Sequence, residues 1–178
     1  HTSERIIQSA MVGREAEMDK LELAVVKVKN GEGSIVNIIG DAGIGKSRLI
    51  AELKSNDVVK RTVIREGRAL SMGRNLSFYP IIEILKGFAG IGEDDSATEQ
   101  LRKLESAIKD IHPGQVDEIF PFTATLMGMK LAGKHAERVK EIEGDALNKL
   151  ILRNLRELLI KSTEISPLIL IIDDLHWA

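Results

Sequence analysis

The stretch Ser34-Ile35-Val36-Asn37-Ile38-Ile39-Gly40-Asp41-Ala42-Gly43-Ile44-Gly45-Lys46-Ser47 decides how the chain reads. Its first six residues form an apolar run that predicts a buried strand. The last eight satisfy Gly-x-x-x-x-Gly-Lys-[Ser/Thr] in full, a pattern that ordinary residue usage produces by chance in roughly one chain in a hundred of this length. A strand before it, and an amphipathic helix opening at about Gly45 with Leu49, Ile50 and Leu53 turned to a sheet, give the pattern a mechanism. Gly40, Gly43 and Gly45 let the backbone turn tightly and approach a phosphate. N–H groups from about Gly43 to Ser47 then point into one cavity at a helix N-terminus. Lys46 would reach the β- and γ-phosphates as a point charge, and the Ser47 hydroxyl would ligate Mg²⁺. The candidate nucleotide-binding residues of this segment are Gly40, Ala42, Gly43, Ile44, Gly45, Lys46, Ser47 and Arg48.

Working outward, residues 1–12 predict an extended lead-in. Met18, Leu21, Val25 and Val28 recur at three- and four-residue steps and predict an amphipathic helix over 14–29, stopped near Asn30-Gly31. Arg61 to Glu66 predicts a second strand, followed by a Gly- and Ser-containing loop through Ser77. Pro80 suits the first turn of a helix whose apolar face is Ile81, Ile82, Ile84, Leu85 and Phe88. Two short helices are expected at 96–109 and about 114–128, and a polar, Gly-punctuated loop from Met129 to Gly144. Leu147, Leu150, Ile151, Leu155, Leu158 and Leu159 mark one face of a long helix over 145–164, with Asp145 at its start. Leu168 to Ile172 has no alternation, as expected of a parallel strand buried on both faces. Strand, helix, strand, several helices, strand is the order of an α/β core with a helical insertion.

The remaining composition narrows the function classes. The chain has 178 residues, 25 Lys+Arg against 27 Asp+Glu and a formal charge of -2, which gives no support to a nucleic-acid or membrane-surface polycation. It has no cysteine, so thiolate nucleophiles, disulfides and thiolate metal sites are excluded, and a reducing, cytoplasmic setting is compatible. Its longest apolar run is five residues, where a bilayer span needs about 20. A first residue that is His, and an end at Ala178 directly after a strand-like run, predict a piece of a longer protein.

The second chemical element is that last strand, which ends in Asp173-Asp174. At the C-terminal edge of a parallel sheet, acids share the crevice of the phosphate loop. Asp173 would hold Mg²⁺ through a bound water, and Asp174 would orient or deprotonate an attacking water, so Lys46, Asp173 and Asp174 are the candidate catalytic residues and Ser47 and Asp173 the candidate metal ligands. An Asp pair after a strand also begins turns and caps helices. His176 and Trp177 read as turn or interface residues. Arg48, Arg65, Arg68 and Arg74 lie near predicted strand ends and loops, where a phosphate contact and plain solvation are both open.

Together Gly40 to Leu49, Met11-Val12-Gly13-Arg14-Glu15 and Leu170 to Ala178 resemble the signal-transduction ATPases, the STAND branch near AAA+ proteins. The likeness is closest to ATPase modules preceding tetratricopeptide repeats in bacterial and archaeal regulators, including those fused to adenylate or guanylate cyclases and LuxR-type activators. Phe78-Tyr79-Pro80 and Phe120-Pro121-Phe122 also look like that group. The resemblance implies a three-layer P-loop NTPase core, a parallel sheet flanked by helices, with a helical insertion and truncated after the Walker B strand. Its parts are 1–33 (lead-in and first helix), 34–68 (strand, loop, helix, strand), 69–144 (insertion) and 145–178 (helix and Walker B strand). It implies ATP or ADP with Mg²⁺, and places Val12, Gly13 and Arg14 beside adenine and ribose; without it, Val12-Gly13 reads as a staple before a helix. Asp174 stands where many AAA+ relatives carry Glu. The implied strand order is 5-1-4-3-2, in which the strand between the phosphate-loop strand and the Asp-Asp strand follows residue 178. Two strands would thus lose their shared neighbour, which predicts either their direct approach or self-association through exposed edges.

These residues favour an ATP-hydrolysing switch that controls an output domain of a parent protein, with hydrolysis by this chain alone slow or absent. The alternative is a regulatory scaffold that holds ATP or ADP without turnover. A DNA-loading ATPase would need a basic module that the net charge does not supply. A small-molecule kinase shares the loop but not the Asp-Asp-Leu-His-Trp ending.

Overall fold

A computed structural model describes residues 13–69 and 78–174, and these fall into two compact units that divide between Thr62 and Val63. The predicted lead-in, Val12, Arg74, His176 and Trp177 lie outside the described residues.

The first unit is built on two helices. Helix α1 (Glu15–Lys29) buries Met18, Leu21 and Val25, the spacing that its sequence predicts, and carries Glu15 and Glu17 in its first turn and Lys27 and Lys29 in its last, favourable to the helix dipole at both ends. It stops where Asn30 returns its N–H to Lys27 O and Val26 O and Gly31 takes a φ of 83°. Helix α2 (Lys46–Ser55) packs on α1 and buries Leu49 and Leu53, while Ile50 is half-buried. Asn56 locks the end of α2: its side chain accepts from Val58 N at 2.9 Å and donates to Glu22 Oε1 of α1 at 2.6 Å. Lys29 Nζ adds a bond to Val58 O at 2.8 Å.

The buried strand expected over 34–39 is not formed. The segment is irregular, and Ile35 and Ile39 are 91% and 92% exposed. An apolar run supplies the side chains of a buried strand, but its N–H and C=O groups also need a ladder, and no described strand lies alongside to provide one.

The second unit holds the sheet. Strands β1 (Val63–Arg68) and β2 (Leu168–Asp173) pair in parallel, in register from Val63 with Leu168 to Arg68 with Asp173. β1 starts and ends two residues later than its sequence suggests. Adjacency of these two strands agrees with the 3-2 end of the implied order, so the sheet of the expected core is present among the described residues as this pair alone. Nor is β2 buried on both faces: Leu170 and Ile172, two residues apart and so on one face, are each 39% exposed, because that face is only partly covered.

Helix α3 (Tyr79–Ala89) begins with Pro80 in its first turn and ends at Gly90 with φ 64°. It lies so close on β1 that a Cβ at Gly67 would sit 2.0 Å from Pro80 O. Helices α4 (Ala97–Ile111), α5 (Val116–Leu126) and α7 (Gly144–Ile165) then enclose a core of Leu85, Leu104, Ile108, Ile119, Phe120, Ala124, Leu155 and Leu158. Ser96 caps α4 by accepting from Glu99 N, and Pro121 is tolerated inside α5, where Thr123 and Thr125 hydroxyls bond back to Ile119 O and Pro121 O.

The loop expected over 129–144 contains a helix instead, α6 (Gly133–Val139). It is held to α5 by side chains that periodicity does not reveal: Lys134 on Asp117 and Arg138 on Glu118, each at 2.7 Å, and His135 edge-on to the Phe120 ring at 4.9 Å.

Candidate functional site

The site predicted from sequence falls in two places, one in each compact unit, and each is taken by itself. The first holds the loop of residues 40–47. Gly43 and Gly45 take φ of 79° and 94°, values that side chains with a Cβ rarely adopt, and a Cβ at either would meet nothing within 4 Å, so open space lies beside the loop. Gly45 caps α2, whose first residues are Lys46 and Ser47, and Leu49 N closes the first turn on Gly45 O at 3.0 Å. The first N–H groups of that turn have no acceptor within the helix, as at any helix N-terminus.

Lys46 curls back over its own loop. Its Nζ donates to Gly40 O at 2.8 Å and to Asp41 O at 2.9 Å, so the ammonium that would meet phosphates rests on two carbonyl oxygens of the loop. Ile44 N bonds weakly to Asp41 O at 3.4 Å, closing the turn that contains Ala42 and Gly43. The Ser47 residue is exposed, and Arg48 lies 3.6 Å from Glu52 one turn along α2.

Of the residues before α1, Arg14 reaches this loop. Gly13 has φ 78°, and its N–H donates to Glu15 Oε1 at 3.3 Å. The Arg14 guanidinium donates through Nη2 to Ile44 O, in the middle of the phosphate loop. Sequence reasoning places Arg14 near the nucleotide but does not see this bond, because it joins residues 30 apart through a backbone carbonyl.

In the second unit, Asp173 and Asp174 stand together at the C-terminal end of β2. Asp174 has left the strand with φ 57°, and its N–H donates to Asp173 Oδ1 at 2.9 Å. Arg68, opposite Asp173 in the ladder, reaches both carboxylates: Nη2 lies 3.5 Å from Asp173 Oδ2 and Nε 3.7 Å from Asp174 Oδ2. The guanidinium is 64% exposed, so this is a loose, solvent-screened pairing. It shows, all the same, that the two acids present their oxygens to one cation. Arg68 is one of the arginines for which the sequence leaves phosphate contact and plain solvation both open; the parallel register that sets it opposite Asp173 is the missing signal.

The donor chemistry fits a nucleotide with Mg²⁺. Ser47, Asp173 and Asp174 offer hard oxygens of the kind magnesium takes, and the glycine-shaped loop offers backbone N–H groups and an ammonium to phosphate. Among the described residues no group of three or more His, Cys, Asp or Glu is placed to hold a metal ion.

The comparisons with known proteins agree with this chemistry. Over 172 residues the chain is 30% identical to an uncharacterized protein of Rhizobium meliloti (strain 1021), an alignment covering 94% of this chain and 16% of that protein. The chain thus spans less than a fifth of the length of this relative. No solved structure matches significantly. The profile of the AAA ATPase domain matches residues 10–178, from the segment before Gly13 through the Asp-Asp strand. With the phosphate loop and the acidic strand end both inside the match, the chain belongs to the AAA ATPase domain family of P-loop nucleotide-binding ATPases.

Proposed function

We propose that the chain is the nucleotide-sensing part of a signal-transduction switch, binding ATP or ADP with Mg²⁺ and controlling an output domain elsewhere in a longer cytoplasmic protein. The observation that carries the reading is the phosphate loop itself: positive φ at Gly43 and Gly45, open space beside them, and Lys46 at the head of α2. The residues that would hold the ligand are Gly40 and Ala42 to Arg48 around the phosphates, with Val12, Gly13 and Arg14 toward the base and sugar. Ser47 and Asp173 would hold Mg²⁺. When bound, the ion screens phosphate charge as it develops in the reaction. Lys46 would exchange two carbonyl oxygens for phosphate oxygens, a stronger, charge-assisted partner. Asp174 would accept a proton from, or orient, the attacking water.

A switch works only if its two states bind ATP and ADP with different affinity. The Arg14 bond to Ile44 O supports that reading, because it ties the segment before α1 to the loop that meets the phosphates. The alternative is a scaffold that holds nucleotide without turnover. Hydrolysis by the isolated chain is expected to be slow or absent.

Calorimetric titration of the 178-residue chain with ATP and with ADP, each with Mg²⁺, tests the reading beside Lys46→Ala. The expected result is saturable binding that Lys46→Ala weakens by at least about tenfold, the worth of one charge-assisted contact to phosphate. Binding that ignores the substitution would remove the loop from the site. Sustained phosphate release by the unaltered chain would overturn the expectation of slow turnover.

A further inference from the structure

In the helical insertion, the segment that leads from α5 into α7 has a glycine at each end of its helix-bearing part. Gly133 opens α6 and Gly144 opens α7, with φ of 57° and 58°, and a Cβ at either would meet nothing within 4 Å. Glycine crosses between backbone regions that a side chain forbids, so the chain can turn at both points without a collision. Between them α6 has no buried residue, and Ala136 and Val139 are only half-buried.

The polar contacts of α6 are ionic. Lys134 and Arg138, one turn apart, stand 2.7 Å from Asp117 and Glu118 of α5, and all four side chains are exposed. His135 lies 3.8 Å from Glu105 of α4, a third pair when the imidazole is protonated. Exposed pairs of this kind each contribute little and weaken with salt. Two rings lie against the same helix. Phe120 is edge-on to His135, and the Arg138 guanidinium stands 5.7 Å from the centre of the Phe122 ring; both phenylalanines are buried. Charges that water screens thus fasten a short helix over aromatic side chains, with a glycine on either side of it.

We propose that residues 133–143 form a strap, hinged at Gly133 and Gly144, that ion pairs hold closed over Phe120 and Phe122 and that opens when those pairs are broken. None of its residues is among those assigned to nucleotide or metal. Opening would present to solvent an aromatic surface that the closed strap covers.

The test follows the imidazole protons of His135 by NMR in the whole 178-residue chain at fixed pH. The Phe120 ring displaces their resonances while the strap is closed, and they move toward free-histidine positions as it opens; His112 reports the effect of salt on an imidazole outside the strap. Raising sodium chloride from about 0.1 M to about 1 M, which shortens the screening length from about 10 Å to about 3 Å, should raise the open-to-closed ratio about threefold or more. Methyl resonances of Leu104 and Ile108, in the core of the insertion, should stay in place. Arg138→Glu, which sets two carboxylates side by side, should open the strap about threefold or more at low salt, and adding Glu118→Arg should close it again. His135 resonances indifferent to salt and to Arg138→Glu would overturn the latch. Core methyls that move together with His135 would overturn the hinges, because the whole insertion would then be loosening. A strap that Glu118→Arg fails to close would overturn the ion pair as its fastening.

Discussion

At the scale of single residues, the glycines separate into two kinds, and the difference is measurable. Gly43 and Gly45 have room for a methyl group and the wrong backbone angle for one. Gly67 is the reverse. Its backbone is ordinary β-strand, but a methyl group would lie 2.0 Å from Pro80 O and 2.8 Å from Pro80 C, and backbone cannot rotate out of the way as a side chain can. Gly67→Ala therefore has to lift the first turn of α3 off β1. We expect it to lower unfolding stability by about 1–3 kcal/mol, the range of overpacking in a tight site. Urea denaturation checks this, and an unchanged midpoint would mean that α3 floats on the sheet rather than resting on it. The same scale explains why Lys46 is legible in sequence and Arg68 is not. The first sits at a fixed offset from glycines that precede it, whereas the second acquires its partners from a strand 105 positions downstream through the pairing of Arg68 with Asp173.

Elements are where charge and local geometry meet, and the turn between α3 and α4 is the clearest case. Asp95 Oδ2 accepts from Lys103 Nζ at 2.6 Å and from Gly92 N at 2.7 Å, while Lys103 also reaches Gly90 O at 3.0 Å. The Lys103 ammonium, and after it the Gly92 N–H, hold the Asp95 carboxyl below the usual carboxylate range. A carboxyl depressed in the folded state stabilises it above the ordinary carboxylate value, and that contribution disappears as pH falls through the folded value. Thermal unfolding of the chain and of Asp95→Asn should accordingly differ near neutral pH and converge only in acid, once the pH has fallen below the depressed folded value. Parallel curves at every pH would show that the charge of Asp95 carries none of the knot. Elements with their own apolar stripe, α1, α3, α4, α5 and α7, are readable from sequence to within two residues, because each stripe is complete within its segment. Helix α6 is not, since it becomes a packed element through partners on other helices, among them Asp117, Glu118, Phe120 and Phe122 on α5. The segment 34–39 fails for the opposite reason: its side chains are those of a buried strand, but a strand is a property of a pair.

Among the described residues, segment 34–39 carries the most exposed large apolar side chains. Ile35 at 91%, Val36 at 49% and Ile39 at 92% are exposed apolar side chains on one short segment, and their backbone belongs to no ladder. A run of high β-propensity with low charge and unpaired backbone is the description of a segment that seeks a partner strand. The edge of β2 away from β1 offers the same chemistry, since among the described residues the sheet has these two strands alone. We infer that the isolated chain self-associates through these strands, one chain supplying what the other lacks. Sedimentation equilibrium should then show an average mass that rises with concentration. The double variant Ile35→Ser and Ile39→Ser should lower the association constant by about tenfold or more, since it removes two large apolar contacts of roughly 1.5–3 kcal/mol each when fully buried. Neither side chain is part of the α1–α2 core, so the variant should keep the helical content of the unaltered chain by circular dichroism. A single mass at every concentration for the unaltered chain would show that the exposed isoleucines are tolerated in solution. An equal rise in both would move the association to another surface, and the edge of β2 would be the next place to place a charge.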